Sequence, residues 1–229
     1  MIEVMEVTKK YGRKKVLDSL SFTAEKGEIT CLIGVNGTGK TTTLKAIAGL
    51  VPVSKGKILI DGEPYNKHIY EKLAFIPDAP IMLPRMKIKD AILFMRDFYP
   101  DWNALRAKDL FHFFKLNEND RIGDLSKGNM AKVNLLLGLS LDVDYVLMDE
   151  PFSGIDIFSR EQIADVFASG LVENRGVLIT THEINDIEHL LDKAVLLGDG
   201  KVLREFYTED IRSSEGKSVV DIMREVYRQ

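Results

Sequence analysis

Nine residues, GVNGTGKTT at positions 34–42, constrain the fold of this chain more than any other stretch. They follow a continuously apolar run, Ile29–Ile33, and lead into a stretch with helical spacing, Lys40–Leu50. Glycines between a buried strand and a helix let the backbone wrap around phosphate oxygens, and the helix N-terminus adds a partial positive charge. The stretch therefore predicts a phosphate-binding loop within an α/β core.

Two side chains of this phosphate loop carry chemistry beyond that of the backbone. Lys40 supplies a mobile positive charge for the β- and γ-phosphates of a nucleotide, and the Thr41 hydroxyl is a hard oxygen ligand for Mg²⁺. The loop residues that we expect to contact the nucleotide are Gly34, Asn36, Gly37, Thr38, Gly39, Lys40, Thr41 and Thr42.

A pair of adjacent carboxylates ends a second apolar run. Asp149 and Glu150 follow Tyr145–Met148 directly, and α/β proteins bind their ligands at the carboxyl ends of parallel strands. Because adjacent strand residues point to opposite faces, Asp149 suits Mg²⁺ coordination while Glu150 can address an attacking water. Together with the phosphate loop, the pair predicts nucleotide hydrolysis.

Strand and helix patterns alternate along the chain on either side of a helical middle. From about residue 88 to residue 141 the strand pattern disappears, and apolar residues recur with helical spacing. We expect one domain, residues 1–229, in which residues 1–80 and 142–229 form an α/β core and residues from about 81 to 141 form an inserted helical lobe. The predicted strands are Ile29–Ile33, Lys57–Ile60, Ala74–Ile76, Tyr145–Met148, Val177–Thr180 and Ala194–Leu197, and the predicted core helices are Lys40–Leu50, Ser159–Glu173, Glu183–Asp192 and Val219–Tyr227.

The helical middle is rich in methionine and phenylalanine. One apolar stripe runs from Ile88 to Phe98 and Tyr99 at helical spacing. We expect most of the Met and Phe side chains to form the core of the lobe, with a few exposed for a partner's helix. These side chains are Met82, Met86, Phe94, Met95, Phe111, Phe113 and Phe114.

Composition limits the classes of function that fit. The chain has 31 Lys and Arg against 35 Asp and Glu, a net charge of −4, so bulk charge offers no basic face and we expect no nucleic-acid partner. The uncharged stretch Val133–Leu141 is about half of what a membrane-spanning helix needs. The single cysteine, Cys31, cannot form an internal disulfide and suits a reducing compartment. We therefore expect a cytoplasmic chain that leaves any membrane crossing to other subunits.

Three further motifs occur in a characteristic order. The sequence LSKGN, residues 125–129, begins about twenty residues before Asp149, SGID follows Glu150 at positions 153–156, and His182 lies just beyond the run Val177–Thr180. With the phosphate loop and the carboxylate pair, these motifs resemble the ATP-binding cassette (ABC) ATPases over essentially the whole chain. The resemblance implies a P-loop NTPase core with a mostly parallel sheet, an N-terminal antiparallel β portion and an inserted helical lobe.

The resemblance also implies a role for each motif, with ATP and Mg²⁺ as cofactors. Asp149 is then the magnesium carboxylate, Glu150 the general base and His182 a contact to the γ-phosphate. Ser126 and Gly128 of the LSKGN signature serve the nucleotide held by a second cassette, paired head to tail. The further nucleotide contacts are Tyr11, which would stack on adenine, and Asp156 of the SGID segment.

The sequence departs from the family pattern in two places. Where a glutamine is usual, the segment Phe75–Pro80 offers Asp78, which we count among the nucleotide and Mg²⁺ contacts. The alternative is that Asp78 only caps a turn between Pro77 and Pro80. The signature also has Lys127 and Asn129 where Gly and Gln are commonest. Such variants resemble compact exporter-type bacterial cassettes.

The resemblance implies an ATP-hydrolysing subunit of a membrane transporter, with export as the favoured direction. Its permease would be a separate transmembrane chain, and the cassette would lie peripherally on the inner face of the cell membrane. The alternative is an ABC ATPase without a transport role, such as an iron–sulfur assembly subunit. A P-loop kinase or GTPase would leave the LSKGN sequence and His182 unexplained.

Overall fold

Two sheets and the helices that cover them make up the structure. The computed structural model describes residues 1–66, 68–170, 172, 174–182, 184–185 and 187–228. Within these residues the strands are β1 (Ile2–Tyr11), β2 (Lys14–Ala24), β3 (Ile29–Ile33), β4 (Lys55–Ile60), β5 (Glu63–Pro64), β6 (Leu73–Ile76), β7 (Tyr145–Asp149), β8 (Gly176–Thr181), β9 (Lys193–Gly198) and β10 (Lys201–Tyr207). The helices are α1 (Lys40–Ile47), α2 (Ile88–Phe98), α3 (Ala104–Phe113), α4 (Lys127–Leu139), α5 (Ile157–Ala168), α6 (Thr208–Glu215) and α7 (Val219–Tyr227), and short 3-10 turns occur at Ile69–Glu71, Ile122–Asp124 and Glu188–Leu190.

The larger sheet is mostly parallel, and it brings three loops to one edge. Its strand order is β10-β9-β3-β8-β7-β6, with parallel pairing from β9 to β6 and an antiparallel β10 at one end. β3 and β7 are buried along almost their whole length, as expected for parallel strands covered on both faces. The carboxyl ends of β3, β7 and β8 therefore meet at the edge where the phosphate loop, Glu150 and His182 follow.

The smaller sheet is antiparallel and is built mainly from the N-terminal strands, in the order β2-β1-β4-β5. Its buried side chains, among them Ile2, Val7 and Leu20, pack with Leu44 of α1 in one apolar cluster. The N-terminal antiparallel portion is therefore confirmed. Together with the parallel sheet it confirms the α/β P-loop NTPase architecture.

The helices α2, α3 and α4 lie in the chain between β6 and β7. α4 is the most deeply placed of them, because every residue from Val133 to Leu139 is buried. The apolar stripe of α2 is shorter than predicted, since Phe98 is 69% exposed. Of the Met and Phe side chains expected in the core of the lobe, Met95 and Phe114 are buried, Met82, Met86, Phe111 and Phe113 pack partly against the core, and Phe94 is exposed.

Two predicted core helices are shorter than their apolar spacing indicated. α1 ends at Ile47 instead of Leu50, because the N–H groups of Leu50 and Val51 both turn back to the Lys45 carbonyl. α5 ends at Ala168, where the N–H and the hydroxyl of Ser169 both donate to Val166 O. The predicted end of that helix, Glu173, lies outside the described residues.

The predicted helix Glu183–Asp192 is wrong over the residues that the structure describes. Between β8 and β9 the described part of the chain contains a single 3-10 turn, Glu188–Leu190, while Glu183 and Asp186 lie outside it. Ile184, Ile187 and Leu191 are each buried. Their spacing mimics a helix, but a tighter turn places the same side chains in the core. Strand β10 and helix α6 had no sequence prediction.

The C-terminal helix α7 packs as its apolar spacing predicted. Val219 and Ile222 are buried, and Ser218 caps the helix by accepting a hydrogen bond from the Asp221 N–H at 3.1 Å. At its far end the Tyr227 hydroxyl lies 2.9 Å from the carbonyl oxygen of Ile33. Because Ile33 is the last residue of β3, α7 supports the strand from which the phosphate loop leaves.

Candidate nucleotide site

The phosphate loop joins β3 to α1 in a conformation that requires glycine. Gly39, the residue before α1, has a left-handed φ of +105°. A Cβ atom there would lie 2.6 Å from Leu17 Cδ2 and 3.0 Å from the Val16 carbonyl oxygen. Strand β2 therefore supports the loop from behind, and any other residue type at position 39 would be both strained and crowded.

Lys40 directs its ammonium group into the loop. The side chain is only 5% exposed, and Nζ donates to the Gly34 carbonyl oxygen at 2.7 Å. The same Nζ lies 3.1 Å from Glu150 Oε1. The positive charge is thus held between the turn of the phosphate loop and the carboxylate that ends β7.

Asp149 is oriented by two hydroxyl groups. Both Thr41 Oγ1, at 2.9 Å, and Thr180 Oγ1, at 2.8 Å, donate to Asp149 Oδ1. Asp149 itself is buried. A hydroxyl and a carboxylate oxygen in direct contact at a phosphate loop form the hard-oxygen pair that Mg²⁺ takes in nucleotide sites, where the phosphates complete the coordination. Thr41 and Asp149 therefore fit the metal predicted for them.

Glu150 lies between a lysine and a histidine. Its Oε2 is 2.8 Å from His182 Nδ1, whereas Lys40 contacts the other carboxylate oxygen, Oε1. The backbone of Glu150 is left-handed, with φ +50°, and its N–H donates to the Thr180 carbonyl at 3.1 Å. Non-glycine residues in this region are strained and concentrate at functional sites. The turn after β7 aims the carboxylate at the phosphate loop.

A cleft of about 460 Å³ contains most of the predicted side chains. The described residues that line it are Lys14, Val16, Asn36, Gly37, Gly39, Lys40, Thr41, Thr42, Asp78, Glu150, Ser153 and His182. Among them, Lys14 and Val16 had no predicted role, and Ser153 begins the SGID segment, of which Asp156 was the predicted nucleotide contact. Lys14 belongs to the basic segment 9–15, and the positive charge of that segment was the one feature of the sequence that could have indicated a contact with phosphate. Gly34 and Thr38 belong to the same loop but are not among the lining residues described.

Tyr11 lies apart from this cleft lining. It is the last residue of β1 and is 48% exposed, with the Lys9 ammonium group 4.8 Å from the centre of its ring. Val16 of β2, and not Tyr11, is among the described residues that line the cleft. The role of Tyr11 in stacking on adenine stays a prediction.

Asp78 reaches the cleft from the loop that follows β6. Asp78, Asp149 and Glu150 are thus three acidic residues that lie around the same cavity. Desolvation by the surrounding protein and the negative charges of Asp149 and Glu150 raise the pKa of Asp78, while Lys127 acts in the opposite direction. None of the hydrogen bonds found among the described residues uses the Asp78 side chain. Its position therefore depends on the backbone of its loop.

A family model described as "ABC transporter" matches residues 17–153, which is more than half of the chain. The chain belongs to the ABC transporter family. Its cassette is 34% identical to the Nod factor export ATP-binding protein I of Burkholderia lata, over 96% of this chain and 76% of that protein. It is 30% identical to the lipopolysaccharide export system ATP-binding protein LptB of Haemophilus influenzae, over 91% of both chains.

The fold comparison agrees with this assignment. A solved structure of the ATP-binding subunit of an ABC transporter superposes with a TM-score of 0.87 at 26% identity and covers 99% of both chains. This ABC cassette is therefore an ATP-binding protein and an ATPase.

Two residues of the signature, Ser126 and Gly128, do not line the cleft around Lys40, whereas Lys127 between them lines a neighbouring cavity together with Asp149 and Glu150. Ser126 is exposed and caps α4, with Oγ accepting from the Asn129 N–H at 3.2 Å. Asp156 caps α5 in the same way through the Ser159 N–H at 3.0 Å. Gly128 lies at the crossing of these helices, where a Cβ would be 2.3 Å from Ser159 Oγ. Among the described residues that line the cleft around Lys40, none of Ser126, Gly128 and Asp156 appears.

Proposed function

We propose that this ABC cassette hydrolyses ATP to power export through a transmembrane permease that is a separate chain. The observation that carries the proposal is the Glu150 carboxylate, placed 3.1 Å from Lys40 Nζ and 2.8 Å from His182 Nδ1 at the edge of the phosphate loop. Export is supported by the names of the relatives described above, which are export ATP-binding proteins.

The chemistry follows from the positions of these side chains. Glu150 takes a proton from the water that attacks the γ-phosphorus, the bond to the β–γ bridging oxygen breaks, and ADP and phosphate result. Lys40 stabilises negative charge on the transferred group, and His182 orients the Glu150 carboxylate. Mg²⁺, held by the Thr41 hydroxyl and the Asp149 carboxylate with Asp78 nearby, supplies further charge neutralisation when bound.

A second cassette would complete the site. Ser126 and Gly128 lie at the N-terminus of α4, a helix of 13 residues whose first N–H groups favour an anion. Since these residues do not line the cleft of their own chain, we assign them to the γ-phosphate of a neighbouring cassette paired head to tail. Asp156, which holds the segment beside Gly128, and Tyr11 would then contact nucleotide in the closed dimer.

An apolar groove between the helical lobe and the adjoining core residues, about 710 Å³ in volume, would receive the permease. We call it the lobe groove. Exposed apolar side chains line it, and Leu83, Tyr70 and Phe94 are 70%, 51% and 40% exposed. Exposed apolar surface of this kind marks interaction sites. Ile81 also lines the groove and lies three residues after Asp78, so a permease helix in the groove would contact the loop that reaches the nucleotide site.

This assignment places the cassette in the cytoplasm, peripheral on the inner face of the membrane. No helix in the described part of the chain is long and apolar enough to span a bilayer. The lobe that we propose for docking comprises residues from about 81 to 141, inserted into a core formed by residues 1–80 and 142–229.

Co-purification from detergent-solubilised membranes tests the function. We expect a multi-span membrane protein, identified by mass spectrometry, to accompany the wild-type cassette. Leu83→Glu should remove that protein while leaving the ATPase rate of the isolated cassette unchanged. Leu105→Glu is the matched control, because Leu105 is 77% exposed on α3 and is not among the described residues of the lobe groove. Recovery of soluble proteins alone would contradict transport and favour an ABC ATPase of another class, such as an iron–sulfur assembly subunit.

A further inference from the structure

Asn134 connects the signature helix to the loop that carries Asp78. It lies in α4 and is only 4% exposed. Its Nδ2 donates to the Ala79 carbonyl oxygen at 3.0 Å and to the Pro77 carbonyl oxygen at 3.4 Å, and its Oδ1 accepts from the Ile81 N–H at 3.3 Å. The side chain thus binds three backbone groups, one before Asp78 and two after it.

The loop needs such a side chain. Residues 77–81, which we call the Asp78 loop, lie outside every helix and strand, and two of their five residues are prolines without an N–H. An asparagine can donate two hydrogen bonds and accept others, so one side chain satisfies groups that the loop cannot pair by itself. The amide also interrupts an apolar part of its own helix, because Asn134 is the one polar residue in VNLLLGL, residues 133–139. A buried amide of this kind is costly unless it is hydrogen-bonded.

The electrostatics of the site explain what the contact does. Asp78 shares the cleft with Glu150, and both line a second cavity of about 350 Å³ that also reaches Asn134. Asp149 lines that cavity as well. Like charges repel, and Lys127 in the same cavity offsets the repulsion from Asp149 and Glu150 only in part. The carboxylates at the end of β7 would therefore drive Asp78 away from the cleft unless its backbone were held. The hydrogen bonds from Asn134 hold that backbone on both sides of Asp78.

We infer that Asn134 is a positioning residue that keeps Asp78 at the nucleotide site against repulsion from Asp149 and Glu150. It also links Asp78 to α4, because Asn134 lies eight residues, or about 12 Å of helix, after Ser126. Its third partner, Ile81, lines the lobe groove. Movement of the signature helix or of a groove-bound permease would therefore reach Asp78 through one side chain. The inference rests on the proposed place of Asp78 at the nucleotide site, where its negative charge opposes the γ-phosphate and slows hydrolysis.

A double-mutant cycle on the full chain tests this assignment. The kcat and KM for ATP are measured for the wild type, Asn134→Ala, Asp78→Asn and the double variant. The charge of Asp78 opposes the γ-phosphate, so Asp78→Asn should raise kcat at least about threefold. Asn134→Ala should raise kcat similarly by releasing Asp78, with KM changed less than about twofold, and should add nothing further in the Asp78→Asn background.

Two controls separate positioning from general damage to the helix. Ser140→Ala removes a different buried hydrogen bond of α4, from Ser140 Oγ to the Leu136 carbonyl, and should leave kcat unchanged. Amide hydrogen exchange should accelerate at Ile81 in Asn134→Ala but not in Ser140→Ala. Should Asn134→Ala fail to fold, Asn134→Leu has a similar volume, suits the apolar helix and also lacks these hydrogen bonds.

The outcomes are distinguishable. A rise of kcat in Asn134→Ala that disappears in the Asp78→Asn background supports the assignment, and a fall of kcat in Asn134→Ala overturns it. Equal changes in both backgrounds, or wild-type kcat in Asn134→Ala, overturn it while the role of Asp78 stands. Wild-type kinetics in Asp78→Asn would instead remove the role of Asp78 and the inference with it.

Discussion

Glu150 and His182 are 32 residues apart in the chain, yet Glu150 Oε2 lies 2.8 Å from His182 Nδ1. The parallel pairing of β7 with β8 creates this contact, because it aligns Asp149 with Thr180. Glu150, the residue after Asp149, and His182, two residues after Thr180, therefore emerge at the same edge of the sheet. The histidine contacts one carboxylate oxygen and Lys40 the other. A carboxylate held from both sides in this way is oriented before substrate arrives, which is the condition for efficient proton transfer.

The first prediction concerns Glu150 as the general base. Glu150→Gln keeps the shape of the side chain and removes its basicity, so ATP turnover should fall by a factor of about 10²–10⁴. ATP binding should remain, because Lys40 and the backbone of the phosphate loop are unchanged. ATPase assays and equilibrium nucleotide binding measure the two effects, and gel filtration with ATP should reveal accumulated dimer. Glu161→Gln, at an exposed position of α5, is the control, and wild-type turnover in Glu150→Gln would refute the role.

The second prediction concerns the head-to-tail site. Lys40→Ala damages the site in its own chain, whereas Ser126→Arg should damage the site held by the neighbouring chain. A mixed dimer then has one site with both defects and one intact site, so a mixture should hydrolyse ATP faster than either variant alone, provided that one site suffices.

A mixture of Lys40→Ala with Glu150→Gln is the matched control for this experiment. Both changes affect the cleft of their own chain, so each site of a mixed dimer carries one defect and activity should not recover. Recovery in the control, or none in the test mixture once mixed dimers are demonstrated, would argue against the arrangement.

The third prediction concerns Glu28 and the pH dependence of stability. Burial, and then the negative charges of Asp192 and Glu25, raise the pKa of Glu28, and its Oε2 has no hydrogen-bond partner among the described residues. A carboxyl group with a raised pKa contributes stability below its ordinary pKa and loses it as pH rises through the raised value. Glu28→Gln should therefore increase the free energy of unfolding at pH 7, and the gain should shrink as pH falls towards about 4.

Chemical denaturation at several pH values measures this effect. Glu63→Gln, an exposed change on β5, should leave the pH profile unaltered. A Glu28→Gln variant that is less stable than the wild type at pH 7, or whose advantage grows in acid, would show that the carboxylate is stabilised in the folded state.

The fourth prediction concerns Tyr227 at the end of α7. Its hydroxyl reaches the carbonyl oxygens of Ile33 at 2.9 Å and Leu197 at 3.0 Å, and burial raises its pKa to about 12. Tyr227→Phe leaves these carbonyls without that donor and should lower the free energy of unfolding by about 1–2 kcal/mol. Urea denaturation tests the loss, with the exposed Tyr99→Phe as a control. Equal stability of Tyr227→Phe and wild type would mean that the hydroxyl contributes nothing there.

The phosphate loop, the carboxylate pair and the signature were all readable in the sequence because each is a local pattern. A glycine-rich turn between an apolar run and a helix predicts a phosphate-binding loop by itself. A continuously apolar run that ends in Asp149–Glu150 likewise predicts a strand that is buried on both faces. The alternation of strands and helices gave the α/β core for the same reason. Helix ends were less predictable, since Leu50 and Ser169 turn back through hydrogen bonds that apolar spacing does not encode.

The tertiary structure decided which distant side chains meet. Sheet register brings Glu150 to His182, the crossing of α4 and α5 brings Gly128 to Ser159, and the packing of α4 under the Asp78 loop brings Asn134 to Ala79 across 55 residues of chain. No sequence motif indicated the contacts of Asn134, because its partners are backbone groups, which every sequence has. The sequence by itself determined the chemistry available to this cassette. Only the folded chain decided how that chemistry is held in place, since long-range contacts depend on packing geometry that local patterns do not contain.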